Sequence, residues 1–202
     1  HEALQTIGQL GLALADVAAP DGAQGMPGVI VPRKTIAELR RLLDDAADSV
    51  EIAASDQKIR FEIGNAVLTS KLIDGSFPEY ARVIPKQNNK ILRVENRVLA
   101  EAVDRVSTVS AERSRSVKMA LDGDRLTLTV NNPDAGLATE DVPAEYESEP
   151  MEIGFNARYL LDVAGQIEGD SAQFEFADSG SPTLVRDEQD PHALYVLMPL
   201  RV

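Results

Sequence analysis

The sequence predicts an α+β protein made of repeated domains, each with a helix beside an antiparallel sheet. Two observations predict it: a helix-plus-strand unit that occurs twice, and short alternating strands after each copy. The hydrophobic fraction is 44% but the aromatic fraction only 4%, so the cores must consist of Val, Ile, Leu and Ala. A chain of 202 residues has room for one large domain or two of roughly 100 residues each.

The repeated unit has the pattern of a strand, a capping residue, a basic first turn and an amphipathic helix. Its copies begin near residues 28 and 151. Placing Pro32 on Asn156 also places Lys34 on Arg158. A repeat of this length, with mixed helix and sheet, indicates a duplicated domain rather than a solenoid.

The first half is predicted to hold one helix among short strands. Ile36, Leu39 and Leu43 fall on one helical face, whereas Ile59 and Phe61 alternate with polar residues as in a half-buried strand. The predicted elements are strands at 12–17, 28–31, 50–54, 58–63 and 66–72 and a helix at 33–44.

The second half has the same pattern of helices followed by strands, over more residues. Asp122-Gly123-Asp124 predicts a hairpin turn, and Asn156 predicts a helix N-cap. The predicted elements are helices at 97–109 and 157–167 and strands at 91–94, 116–121, 125–130, 137–142, 151–155, 172–177, 182–186 and 193–198. With the crossing near residue 81, we expect domains at 1–81 and 82–202, the first without its beginning.

The composition offers little for catalysis. There is no Cys, and the only histidines are His1, at the end of the chain, and His192, in a turn. Glycine-rich phosphate loops and metal-ligand spacings are absent from the sequence, so we expect no enzyme activity, cofactor or metal. The lack of Cys and of any apolar run of about 20 residues favours a cytoplasmic location over a membrane.

Charge is unevenly distributed. The net charge of −13 argues against ordinary nucleic-acid binding, and residues 134–152 carry acids without a base. Arg33 and Lys34, however, begin one repeat helix, and Arg158 begins the other, where the helix dipole disfavours cations. This placement indicates an anionic partner, although a solvated helix end explains it equally well.

The chain finishes in an apolar segment, residues 195–202, where most termini are polar. Pro199 cannot continue a central strand, and Met198 is an adaptable side chain. The segment is either a last strand packed into the core or one wall of an apolar groove that binds peptides. Residues 77–83 would form the other wall.

Several motifs together resemble the bacterial beta sliding clamp family, the processivity subunit of DNA polymerase III. They lie at residues 29–34, 70–80, 131–133, 151–156 and 195–202. The resemblance implies the DNA clamp fold, in which three similar domains per chain form a two-chain ring around DNA. This chain would hold the later part of the second domain and the whole third domain. Residues 6–11 depart from the family pattern, so no site is assigned before Leu12.

The resemblance also implies three sets of site residues. A groove for peptides of polymerases, the clamp loader and repair proteins would be lined by Leu12, Pro78, Arg82, Val83, Asn156, Tyr159, Val196, Met198, Pro199, Leu200 and Arg201. The DNA-facing cations would be Arg33, Lys34, Arg97, Arg105 and Arg158. The homodimer interface would include Val109, Glu140 and Asp141.

Two functions therefore stay open at this stage. The first is a non-catalytic clamp that encircles duplex DNA without reading its sequence and that docks replication and repair proteins. The alternative is a peptide-binding adaptor with the same fold that does not encircle DNA. The presence of roughly one and a half further domains upstream would favour the clamp.

Overall fold

The computed structural model describes residues 2–5, 11–44, 49–77, 79–110 and 115–201. Within these ranges lie the helices α1 (Arg33–Asp44), α2 (Asn96–Ser107) and α3 (Ala157–Ala164). The strands are β1 (Glu2–Gln5), β2 (Gly11–Asp16), β3 (Glu51–Ala54), β4 (Lys58–Ile63), β5 (Ala66–Lys71), β6 (Lys90–Glu95), β7 (Ser116–Asp122), β8 (Arg125–Asn132), β9 (Gly136–Tyr146), β10 (Met151–Asn156), β11 (Ser171–Phe176), β12 (Thr183–Asp187) and β13 (Ala193–Leu197). None of the helices in this described part is long and apolar enough to cross a membrane.

The chain forms two compact units. One is Ala19–Glu79, and the other combines His1–Ala18 with Tyr80–Val202. The early residues join the later unit because β2 pairs with β13 in antiparallel register. The predicted division into domains 1–81 and 82–202 stays a prediction.

The smaller unit is the antiparallel sheet β3-β4-β5 with α1 against β4 and β5. Ile59, Phe61 and Ile63 point to the same side of β4 and form its buried centre. The predicted strand at residues 28–31 is wrong. Ile30 accepts one hydrogen bond from the Ile73 N–H at 2.9 Å, but the segment builds no ladder, although its valines still pack on this core.

The larger unit contains a continuous antiparallel sheet, which in the described ranges has the order β1-β2-β13-β12-β11-β6-β9-β8-β7-β10. Helices α2 and α3 pack against each other, and α2 contacts β6 to β9. Leu92, Leu99 and Phe155 belong to the main core, which this arrangement encloses. Asn96 joins the two helices, because its Nδ2 donates to the Ala164 carbonyl at 3.0 Å.

Most predicted elements are confirmed, with one clear difference in α3. The bounds of α1 agree at both ends, and Asn156 is confirmed as the N-cap, because its side chain accepts a hydrogen bond from the Arg158 N–H at 2.9 Å. Helix α3 ends at Ala164 rather than at 167. Beyond it the Gln166 N–H bonds the Val163 carbonyl, a tighter turn that takes the following Ile out of the helix while keeping it buried.

A buried carboxylate fixes the loops at one end of β12. Asp187 is only 5% exposed, and its Oδ2 accepts the N–H groups of Glu168 and Gly169, both at 2.9 Å. Its Oδ1 accepts the Gln189 N–H at 2.8 Å. Burial works to raise the pKa of this carboxyl, but the backbone N–H donors outweigh it and hold the pKa below the ordinary value of 3.8.

Stability should therefore depend on the ionisation of Asp187. Because its pKa is lower in the folded state, the charged form contributes stability above about pH 3.8, and this contribution is lost as the pH falls further. We expect Asp187→Asn to lower the free energy of unfolding by about 1–3 kcal/mol at pH 6. Urea unfolding from pH 6 to pH 3 measures the difference. A difference that does not shrink below pH 3.8 would contradict the assignment.

Candidate functional site

A small apolar cluster lies on the opposite face of the large sheet from the main core. The register pairs Leu12 with Val196, and Val196 with Leu184. Their neighbours in each strand, including Tyr195, point into the main core, because successive side chains alternate between the faces of a sheet. The cluster is therefore a second, separate core. Tyr80, Ile84 and Leu194 pack against it.

The predicted groove residues near this cluster differ in their exposure. Leu12 and Val196 are 7% and 1% exposed, so both are covered rather than open to solvent. A 3-10 turn at Tyr80–Arg82 leads into Val83, which is 42% exposed. Met198, just after β13, is 37% exposed. The predicted groove residues thus divide into buried ones, here called the floor (Leu12 and Val196), and exposed ones, here called the rim (Val83 and Met198).

The C-terminal segment crosses from β13 to the edge strand β10. The Leu200 N–H donates to the Gly154 carbonyl at 2.8 Å, in an isolated antiparallel bridge. Asn156, two residues after Gly154, is the N-cap of α3. Tyr159 in that helix is partly buried and packs against the main core. The structure therefore brings the tail to the start of α3.

The remaining groove predictions lie on the same segments. Pro199 is half-buried, and Arg82 and Arg201 are exposed. Pro78 lies outside the described residues. Ile84 and Leu184 were missed by sequence reasoning, and the cross-strand register is the signal that identifies Leu184.

The predicted DNA-facing cations differ in how they are paired. Arg33 and Lys34 are exposed in the first turn of α1. Arg97 has a side chain that is 79% exposed and lies 3.7 Å from Glu101. Arg158 is 63% exposed and lies 4.0 Å from the Asp162 carboxylate, which is a loose pairing.

Arg105 is held much more firmly than the other cations. Its guanidinium donates through Nε and Nη2 to Glu140, with a shortest distance of 2.7 Å, and Glu101 lies 3.6 Å away. The hydrogen bond from Arg105 lowers the pKa of the Glu140 carboxyl. One residue predicted to face DNA is thus paired with one predicted for the dimer interface. Asp141 beside it accepts a 2.6 Å hydrogen bond from Thr127.

A cavity of about 330 Å³ lies between the end of α2 and the start of α3. It carries both signs of charge, and its lining includes Asp104, Ser107, Ser110, Arg115, Arg158 and Leu161. The Arg115 carbonyl accepts the Ala157 N–H at 2.7 Å, and Arg115 itself has a positive φ of 38°. Among the described residues, no cluster of three metal-binding side chains occurs.

Comparison with known proteins identifies the family of this chain. Residues 81–201 match the profile of the DNA polymerase III beta subunit, C-terminal domain, and residues 5–79 match that of its central domain. The chain belongs to the beta sliding clamp family. The beta sliding clamp of Caulobacter vibrioides is 63% identical over 95% of this chain, which covers 51% of that protein.

Solved clamps also share the fold. A beta sliding clamp from Caulobacter crescentus has a TM-score of 0.95 and 61% identity, and all of this chain covers 53% of it. A sliding clamp from Bartonella birtlesii, solved bound to griselimycin, has a TM-score of 0.94 and 50% identity, with 54% of its chain covered. The predicted DNA clamp fold is confirmed by these matches. The chain spans about half the length of the clamps it matches.

Proposed function

We propose that this chain acts as part of a sliding clamp, a non-catalytic cytoplasmic protein that encircles duplex DNA and tethers polymerases to it. The observation that carries the proposal is the repeated basic helix start. Lys34 in α1 and Arg158 in α3 occupy equivalent places in the two copies, and both are exposed. Family membership adds the tethering role, because the matched relatives are named sliding clamps.

Loose contact with phosphates suits a protein that slides. Arg97 lies 3.7 Å from Glu101 and Arg158 lies 4.0 Å from Asp162, and exposed ion pairs of this kind contribute little. Their charges are therefore available for a phosphate backbone, which supplies affinity without sequence information. Arg105 is less available because Glu140 already occupies its guanidinium.

Strand β9 supports a dimer interface. Residues from Gly136 to Pro143 pair with β8, whereas β6 reaches β9 only at Ala144 to Tyr146. Among the described residues, the part of β9 from Gly136 to Pro143 therefore has a paired strand on one side only. An unpaired strand edge can form backbone hydrogen bonds with another chain. Glu140 and Asp141 lie in this part of β9. At its first residue, Gly136, the paired Asn132 donates through Nδ2 to the Val109 carbonyl. We place a second copy here.

The exposed rim supports peptide docking. Val83 and Met198 are apolar side chains left accessible beside a closed apolar floor, and Arg82 and Arg201 add cations to the same segments. A groove of this kind suits short peptides with apolar anchors from polymerases, the clamp loader and repair proteins.

The decisive experiment compares circular with linear DNA. We expect the intact protein, once loaded on nicked circular duplex, to co-elute with that DNA in gel filtration, and to be lost after a single restriction cut. A linear duplex with both ends blocked by bound protein is the control, and it should retain the clamp.

Two outcomes would contradict the ring. Equal loss from circular and linear DNA would refute topological retention and favour the adaptor alternative, provided that peptide docking persists. Equal retention on circular DNA and on linear DNA with free ends would indicate ordinary phosphate binding, whose affinity falls steeply with salt concentration.

A further inference from the structure

Methionine is the only sulfur-containing residue type in this chain, which has four Met and no Cys. The four differ in accessibility. Met119 is fully buried in β7, and Met26 and Met151 are partly buried. Of the four methionines, only Met198 is exposed, at 37%. Oxidation of a thioether follows its exposure, so the four sites should react unequally.

The position of Met198 makes its chemistry relevant to docking. It lies two residues after Val196, which forms the buried floor, and two residues before Leu200, which is bonded to Gly154. The segment is therefore anchored on both sides of the exposed side chain. A chemical change at this sulfur alters the rim of the groove without entering the main core.

We propose that Met198 is a reversible oxidation site that controls peptide docking. The inference rests on the proposed peptide groove. Hydrogen peroxide transfers one oxygen to the thioether sulfur of Met198. The O–O bond breaks, the sulfur gives up two electrons, and the second peroxide oxygen leaves as water. A methionine sulfoxide reductase reverses the step with a dithiol, which becomes a disulfide as water is released.

The sulfoxide weakens docking for a physical reason. The oxidised side chain is polar and carries a strong acceptor oxygen, whereas the thioether is apolar and adaptable. A docked apolar anchor displaces water from that oxygen and offers it no donor in return, which carries a desolvation penalty. We expect the peptide affinity to fall about tenfold or more, while the main core, where Met119 is buried, remains unaltered.

The test uses the intact protein and a fluorescent peptide from the C-terminal tail of a bacterial replicative polymerase. The protein is treated with graded peroxide, and peptide mass spectrometry gives the sulfoxide fraction at each Met. Anisotropy then gives the Kd before and after treatment for the wild type, Met198→Leu and Met26→Leu. The quantity compared is the ratio of the two Kd values for each protein. Met26→Leu is the matched control outside the groove.

We expect a ratio of about ten or more for the wild type and Met26→Leu, a ratio near one for Met198→Leu, and recovery after treatment with both stereochemical classes of reductase. An unchanged Kd with Met198 oxidised would overturn the inference, and so would sulfoxide forming first at another Met or a loss that the reductases do not restore. If the untreated wild type does not bind the peptide, the proposed groove fails instead.

Discussion

Replacing Gly169 with Ala should strongly destabilise the larger unit. A Cβ at this position would lie 2.4 Å from the Asp187 Oδ1 and 3.2 Å from its Cγ. The carboxylate cannot simply turn away, because it accepts N–H groups from Glu168, Gly169 and Gln189. We expect a loss of about 3 kcal/mol from overpacking and from broken hydrogen bonds to a buried charge. Urea unfolding at pH 7 measures it.

Gly180 provides the matched control. It also lies beside an aspartate, since its N–H donates to the Asp178 Oδ1 at 2.8 Å. There a Cβ would stand 3.7 Å from that oxygen, an ordinary contact. Gly180→Ala should therefore change stability by less than about 1 kcal/mol. Equal unfolding midpoints for the two variants would show that the Asp187 loops adjust without cost.

Local patterns predicted the helices and most strands because their signals are short-range. The apolar spacing and the preceding Pro32 define α1, and Asn156 marks the start of α3. The strand predicted at residues 28–31 failed because β-branched residues also suit an extended segment that packs without a ladder. The early end of α3 depended on tertiary packing, which draws Ile167 into the core.

The candidate site was less predictable because it depends on pairing between distant strands. Leu12 and Val196 meet only through the register of β2 with β13, and this pairing determines which face each residue occupies. Leu184 joins them through β12, which is buried on both faces and so shows no alternation. The Arg105–Glu140 pair likewise joins α2 to β9, and charge counts alone cannot reveal it.

Shortening the tail should abolish most peptide docking while leaving the fold intact. Removing residues 200–202 deletes the Leu200 N–H that bonds the Gly154 carbonyl at 2.8 Å, so the segment carrying Met198 loses its second anchor. We expect the affinity for the polymerase tail peptide to fall about 30-fold or more, as for the loss of a binding hot spot. Met198→Ala keeps the anchor and should weaken binding about tenfold through lost apolar contact. Isothermal titration calorimetry measures both.

The control is Val67→Ala, which removes an apolar side chain that is 56% exposed in β5, a strand of the smaller unit. It should leave the affinity unchanged, because nothing in the proposed groove lies on that strand. Thermal unfolding of each variant separates lost docking from lost folding. If Met198→Ala and the shortened chain both bind as tightly as the wild type while remaining folded, the tail does not form the groove. The peptide would then have to be recognised elsewhere, and Met198 would have no role in docking.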